Sequence, residues 1–255
     1  MTRESILEIC CGSFEDVKTA YENGADRVEL NSALYLGGLT PSLANLVCAK
    51  EQCRIPIVAM VRPRGGGFCY SEEEYQTMLL DAKILLEHGA DGIAFGFLAE
   101  DRELDLKRTQ EMISVIRKYG KEAVFHRAFD CVKDQKKATE QLIEAGADRI
   151  LTSGGKADAW SGREMLKQIQ AEYGSAITIL AGSGINDKNA IELMNYTGIS
   201  QVHSSCRGWV EDSTTSNGIV DFSYAGEGEK NQYEAVDSKK VQALVNALQK
   251  CAVYI

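Results

Sequence analysis

The sequence predicts a parallel (β/α)8 barrel, and three observations carry that prediction: four echoed segments, eight short apolar runs and a helical pattern after each run. Gly24-Ala25-Asp26-Arg27-Val28-Glu29-Leu30, Gly89-Ala90-Asp91-Gly92-Ile93-Ala94-Phe95 and Gly146-Ala147-Asp148-Arg149-Ile150-Leu151-Thr152 share a Gly-Ala-Asp start and an apolar continuation. A weaker copy begins at Gly198, so the starts lie 65, 57 and 52 residues apart. Each Gly stands where a helix ends in a left-handed residue.

Strand one is Ile6–Cys10, and the four echoes supply strands two, four, six and eight. Strands three, five and seven are the β-branched or apolar runs Ile55–Met60, Glu122–His126 and Ala176–Ala181. Helical periodicity is clearest after strand three, where Ser71-Glu72-Glu73-Glu74 reads as a capped start. Met78, Leu79, Ala82, Leu85 and Leu86 then recur at the spacing of one helix face. Residues 207–236, rich in Gly, Ser, Thr and Asn, read as a loop insertion after strand eight, and 237–255 as the final helix. Eight units use up the 255 residues, so the chain is read as a single domain, 1–255. A doubly wound open sheet also alternates strands and helices, but four repeated quarters favour closure.

Composition bounds the function. The formal charge is −9, which argues against nucleic acid or an anionic membrane as main partner. The longest apolar run, about seven residues near Ile55–Val61, is far short of the roughly 18 that span a bilayer. The first residues lack the pattern of a secretory signal, and the eight cysteines include no Cys-x-x-Cys pair, so a reduced cytoplasmic protein is expected. A small metabolite or a metal ion is the partner these features leave.

Barrel chemistry gathers at the C-terminal ends of the strands. Because side chains alternate along a strand, placing Val28 and Leu30 against the helices turns Glu29 and Asn31 inward. The same register turns Glu8, Cys10, Arg62, His126, Ser153, His203 and Ser205 inward. Glu8, Glu29, Arg62, His126 and His203 are the catalytic candidates, with carboxylates and imidazoles to move protons and a guanidinium to hold an anion. They would equally form a structural network in which Arg62 satisfies Glu8 or Glu29. Arg62 and Arg64, with the glycine-bearing ends Ser153-Gly154 and Gly182-Ser183-Gly184, are the anion-binding candidates. Asp130 could support His126 or, by pairing with Arg127 or Lys133, organise only its own loop.

Several motifs resemble the CutC family: Leu7-Glu8-Ile9-Cys10, Gly37-Gly38-Leu39-Thr40-Pro41-Ser42, Met60-Val61-Arg62-Pro63-Arg64-Gly65-Gly66, Phe125-His126-Arg127-Ala128-Phe129-Asp130 and Leu151-Thr152-Ser153-Gly154. They occur in order over nearly the whole chain. The resemblance implies a cytoplasmic TIM barrel, commonly homo-oligomeric, associated with copper homeostasis, with Cu(I) binding proposed for some members. It also implies thiols near the ends of strands one and two. Cys10 stands at the first position and Asn31 at the second, while alternation puts Cys11 on the opposite face. Two functions stay open: a Cu(I) binder using Cys10, and a lyase- or isomerase-type enzyme acting on a small phosphorylated or carboxylated metabolite.

Overall fold

Strands and helices alternate because each apolar strand ends in a polar or glycine-bearing turn, and five of the helices that follow start with a side-chain cap. Ser13, Ser42, Ser71, Asp105 and Asp134 each accept a backbone N–H of the first turn, and Ser71 with Glu74 completes the expected capping box. The computed structural model describes residues 5–226 and 229–251. The order is β1 (Ile6–Cys11), α1 (Phe14–Glu22), β2 (Arg27–Leu30), α2 (Leu43–Gln52), β3 (Ile57–Met60), α3 (Glu72–Glu87), β4 (Gly92–Phe95) and α4 (Leu106–Lys118). It continues with β5 (Glu122–Phe125), α5 (Gln135–Ala145), β6 (Arg149–Thr152), α6 (Arg163–Tyr173), β7 (Thr178–Gly182), α7 (Ala190–Thr197) and β8 (Gln201–Ser204).

All eight strands are parallel and close into one barrel, β8 pairing back onto β1 with Leu7 beside Val202 and Glu8 beside His203. The fold is therefore the single TIM barrel that the echoes imply. β3 starts at Ile57 rather than Ile55, since Pro56 has no N–H to give to the ladder.

The echoes have a physical meaning. In three of them the Asp closes the bottom of the barrel, its carboxylate accepting an N–H of the preceding strand. Asp26 takes Leu7 (2.7 Å), Asp91 takes Ile57 (3.0 Å) and Asp148 takes Ala123 (2.7 Å). Each Asp N–H in turn donates to the carbonyl of that same residue. The glycines before them, and Gly198, have φ between +77° and +96°, as helix ends of this kind require.

Two cores result. The larger fills the space between strands and helices and contains Leu7, Ile9, Cys11, Val28 and Leu30, the outward residues of β1 and β2. The smaller lies inside the barrel, where Val58, Met60, Ala94 and Val124 fill the β3–β5 side. Among the described residues no helix is long and apolar enough to cross a membrane.

The segment after β8 departs from the expected loop. Its two ends pair as an antiparallel ribbon, β9 (Arg207–Glu211) with β10 (Gln232–Val236), bringing Trp209 opposite Glu234 and Val210 opposite Tyr233. The Gly/Ser-rich middle hid two short stretches of strand-forming residues. The ribbon is tied down where Val236 N–H donates to Asp16 Oδ1 (2.7 Å) and Tyr224 stacks on Tyr35 (centroids 4.5 Å apart). The final helix, α8 (Ser238–Cys251), follows directly, and residues 252–255 of the expected helix lie outside the described residues.

Replacing Asp148 by Ala leaves the buried Ala123 N–H without its acceptor and is expected to lower stability by about 1–3 kcal/mol. Urea unfolding measures the loss; an unchanged midpoint would show that the bottom carboxylates are dispensable.

Candidate functional site

The site is built in two levels. At the lower level Glu8, only 1% exposed, sits beside Arg27 on β2 and His203 on β8 in the strand register. Its carboxylate pairs with Arg27 Nε, with Arg149 (3.5 Å) and with His203 Nδ1 (2.8 Å). Burial alone would raise its pKa, but Arg27, His203 and Arg149 together hold it well below the usual carboxylate range. An ionised carboxylate only accepts hydrogen bonds, so His203 carries a proton on Nδ1 and presents Nε2 on its other edge. Against the effect of burial, the Glu8 hydrogen bond and the charges of Glu29 and Glu8 raise the His203 pKa.

Above this lies a cavity of about 340 Å³ at the C-terminal mouth, lined among others by Cys10, Glu29, Met60, Arg62, His126 and His203. Cys10 and Glu29 are register partners on β1 and β2, and the thiol points at Glu29 Oε2 (3.8 Å). Asn31, one step further along the chain from β2, donates from Nδ2 to the same oxygen (2.9 Å) and towards Cys10 Sγ (3.5 Å). Asn31 is thus a donor to sulfur rather than a ligand in place of a thiol. Its Oδ1 packs so closely on Gly38 that a Cβ there would approach to 2.4 Å, and Gly38 also has φ +84°. Burial, with the nearby Glu29 charge, pushes the Cys10 thiol well up. Burial also raises Glu29, and the attraction of His203 does not cancel it. One ligand atom each from Cys10, Glu29 and His203 lies within 4.8 Å of the other two.

The opposite wall carries different chemistry. Arg62 leaves the end of β3 with 5% exposure, and its fork is held by the carbonyls of Leu36 (2.9 Å), Gly38 (3.1 Å) and Gly66 (2.6 Å). It therefore satisfies neither Glu8 nor Glu29. His126 accepts the Ala128 N–H at Nδ1 (3.1 Å), which places the proton of the neutral ring on Nε2. Burial first, and the Arg62 charge second, push its pKa down to about 3. Phe68 stands against both, 5.1 Å from Arg62 Cζ and 5.1 Å from the His126 ring.

Other expected residues lie elsewhere. Glu8 is beneath the cavity, shielded by its partners, and orients His203 rather than facing a ligand. Arg64 turns outward to pair with Glu74 on α3. The Ser153-Gly154 loop holds an anion of the chain's own: Asp130 accepts the Ser153 N–H (3.0 Å), the Gly155 N–H (3.0 Å) and the Thr152 hydroxyl (2.6 Å), and pairs with Arg127 (2.8 Å). Gly154 N–H goes to Thr152 Oγ1 (2.9 Å), so neither residue has a donor left for an external anion. Gly182 is enclosed by Leu151 and His203, and only Ser183 and Gly184 of that turn reach the cavity. Arg207 and Glu234 of the ribbon also line the mouth, which sequence reasoning missed because their approach depends on β9–β10 pairing across 20 intervening residues. Of the two partners the sequence offers Asp130, it pairs with Arg127, and its role as internal anion has no local signal.

A closed (β/α)8 barrel whose mouth gathers Cys10, Glu29 and His203 defines a TIM-barrel protein with a candidate ligand site at the C-terminal ends of its strands. The CutC family model matches residues 5–208, and the chain belongs to the CutC family. A CutC family protein of Treponema denticola is 45% identical over 212 residues, covering 83% of this chain and 85% of the relative. One of Glaesserella parasuis serovar 5 is 36% identical over 239 residues, covering 94% and 97%. A solved CutC structure from Streptococcus agalactiae, named for copper homeostasis, superposes with a TM-score of 0.74 at 28% identity, covering 79% of this chain and 98% of that one.

The depressed His126 pKa gives a signed pH dependence. Between the ordinary value of 6.5 and about 3 the unfolded chain binds a proton here that the folded chain does not. Stability contributed by this group is complete above pH 6.5 and falls by about 1.4 kcal/mol per pH unit as the pH drops through that window. Urea unfolding of wild type and His126→Phe at several pH values isolates the slope; parallel curves would contradict it.

Proposed function

We propose that the protein acts in copper homeostasis by binding copper as Cu(I) at the barrel mouth. The observation that carries the reading is the convergence of Cys10, His203 and Glu29 ligand atoms within 4.8 Å. A thiolate suits soft Cu(I) and an imidazole suits copper generally, whereas the Glu29 oxygen is a harder donor. The donor set fits copper through Cys10 and His203, with Glu29 as the adjoining acceptor.

Two features of the chain support that use. Glu8 holds His203 by Nδ1, the carboxylate–histidine arrangement that fixes a ligating ring and strengthens its other nitrogen. Asn31 Nδ2 faces the sulfur, where its N–H stabilises a thiolate once the thiol proton leaves. When bound, the ion supplies the positive charge that replaces that proton. The family resemblance supports a cytoplasmic location and homo-oligomeric assembly as parts of the same reading.

Competition against a Cu(I) chelator under reducing conditions tests it. Wild type is expected to bind Cu(I), Cys10→Ser to lose binding, and Glu8→Gln to weaken it by about 10–100-fold through His203. Asn31→Cys supplies a second thiol beside Cys10 and is expected to tighten binding. Absence of Cu(I) binding by the wild type, or undiminished binding by Cys10→Ser, would overturn the proposal.

A further inference from the structure

The wall opposite Cys10 has its own ligand chemistry, which the copper reading does not use. Arg62 and His126 are 5% and 3% exposed, both line the cavity, and each keeps one buried nitrogen without a hydrogen-bond partner: Arg62 Nε and His126 Nε2. The His126 tautomer set by Ala128 makes Nε2 a donor, and Arg62 Nε is always one. Leaving such donors unsatisfied inside a protein is unfavourable, so their pairing by a ligand is favoured.

The charge balance points the same way. Three carbonyls hold Arg62 Nη1 and Nη2 and the buried Tyr70 hydroxyl lies beside the guanidinium, all neutral groups that orient the fork without neutralising it, and among the described residues Arg62 makes no ion pair. The other two arginines of the lining are paired, Arg127 with Asp130 (2.8 Å) and Arg207 with Glu234 (3.6 Å). Phe68, against both Arg62 and His126, places the two donors on one wall and gives that wall an apolar surface. The cavity, about 340 Å³, lies in the range of small-molecule sites.

We propose that this wall binds a small organic carboxylate, held by the Arg62 guanidinium and the Nε2–H of His126. One uncompensated positive charge and two N–H donors match a carboxylate, with one negative charge and two oxygens. A dianionic phosphate would leave a charge unmatched in a buried site. The neutral imidazole contributes a directed hydrogen bond without adding charge. The site is independent of copper, since neither Arg62 nor His126 belongs to the Cys10 cluster.

Thermal unfolding of the metal-free protein with acetate or pyruvate, and with inorganic phosphate for comparison, tests the assignment. Both carboxylates are expected to give a saturable rise of about 2 °C or more. The rise is expected to vanish in Arg62→Gln and His126→Phe, to return in His126→Gln, whose amide N–H reaches the place of Nε2–H, and to persist in Cys10→Ser. Should Arg62→Gln not fold by circular dichroism, the His126 pair still decides. No shift with either carboxylate, an undiminished shift in His126→Phe, a shift with phosphate alone, or loss in Cys10→Ser would overturn it. The Cys10→Ser arm separates this outcome from the failure of copper binding.

Discussion

A single ionised carboxylate, that of Glu8, holds together the polar half of the barrel interior. It draws Arg27 of β2, Arg149 of β6 and His203 of β8 onto one residue of β1. A charge at 1% exposure costs several kcal/mol to desolvate, and the arrangement persists because each group offsets the penalty of the others. Remove the carboxylate and two buried guanidinium groups lose their common partner. The contact also determines which nitrogen of His203 faces upward, so the ion network that closes the barrel bottom sets the chemistry of the mouth.

The interior is consequently divided. On the β3–β5 side Val58, Met60, Ala94 and Val124 exclude water, while on the β1, β2 and β8 side carboxylates, a thiol and an imidazole share hydrogen bonds. Arg62 and His126 stand above the apolar half, at the ends of β3 and β5, where their charge and N–H groups act in surroundings of low polarity. The Cys10 cluster and the Arg62–His126 pair thereby occupy separate parts of one cavity lining. Membership of the CutC family and the cluster of Cys10, Glu29 and His203 meet at the first wall.

Much of this was legible in the sequence, for identifiable reasons. The Gly-Ala-Asp echoes mark repeated closures at the barrel bottom, and strict alternation along Val28-Glu29-Leu30 and Leu7-Glu8-Ile9-Cys10 separates inner from outer residues. Cys10, Glu29, Arg62, His126 and His203 accordingly line the cavity. What local pattern does not encode is which partner a charge finds. Arg27 and Arg149, at the starts of β2 and β6, carry no local sign that both converge on Glu8 of β1. The glycine-bearing turn after β6 suits an external anion, yet Asp130 takes the Ser153 and Gly155 N–H groups and Thr152 takes that of Gly154. The ribbon that brings Arg207 and Glu234 to the mouth depends on pairing between segments whose separation masks their strand character.

The central claim is that a mixed sulfur and nitrogen donor set, with His203 oriented by Glu8, receives copper at the mouth. X-ray absorption at the copper edge of the Cu(I)-loaded wild-type protein tests it most directly. A first shell containing both sulfur and imidazole nitrogen is the predicted result; a shell of sulfur alone, or one without sulfur, would contradict it.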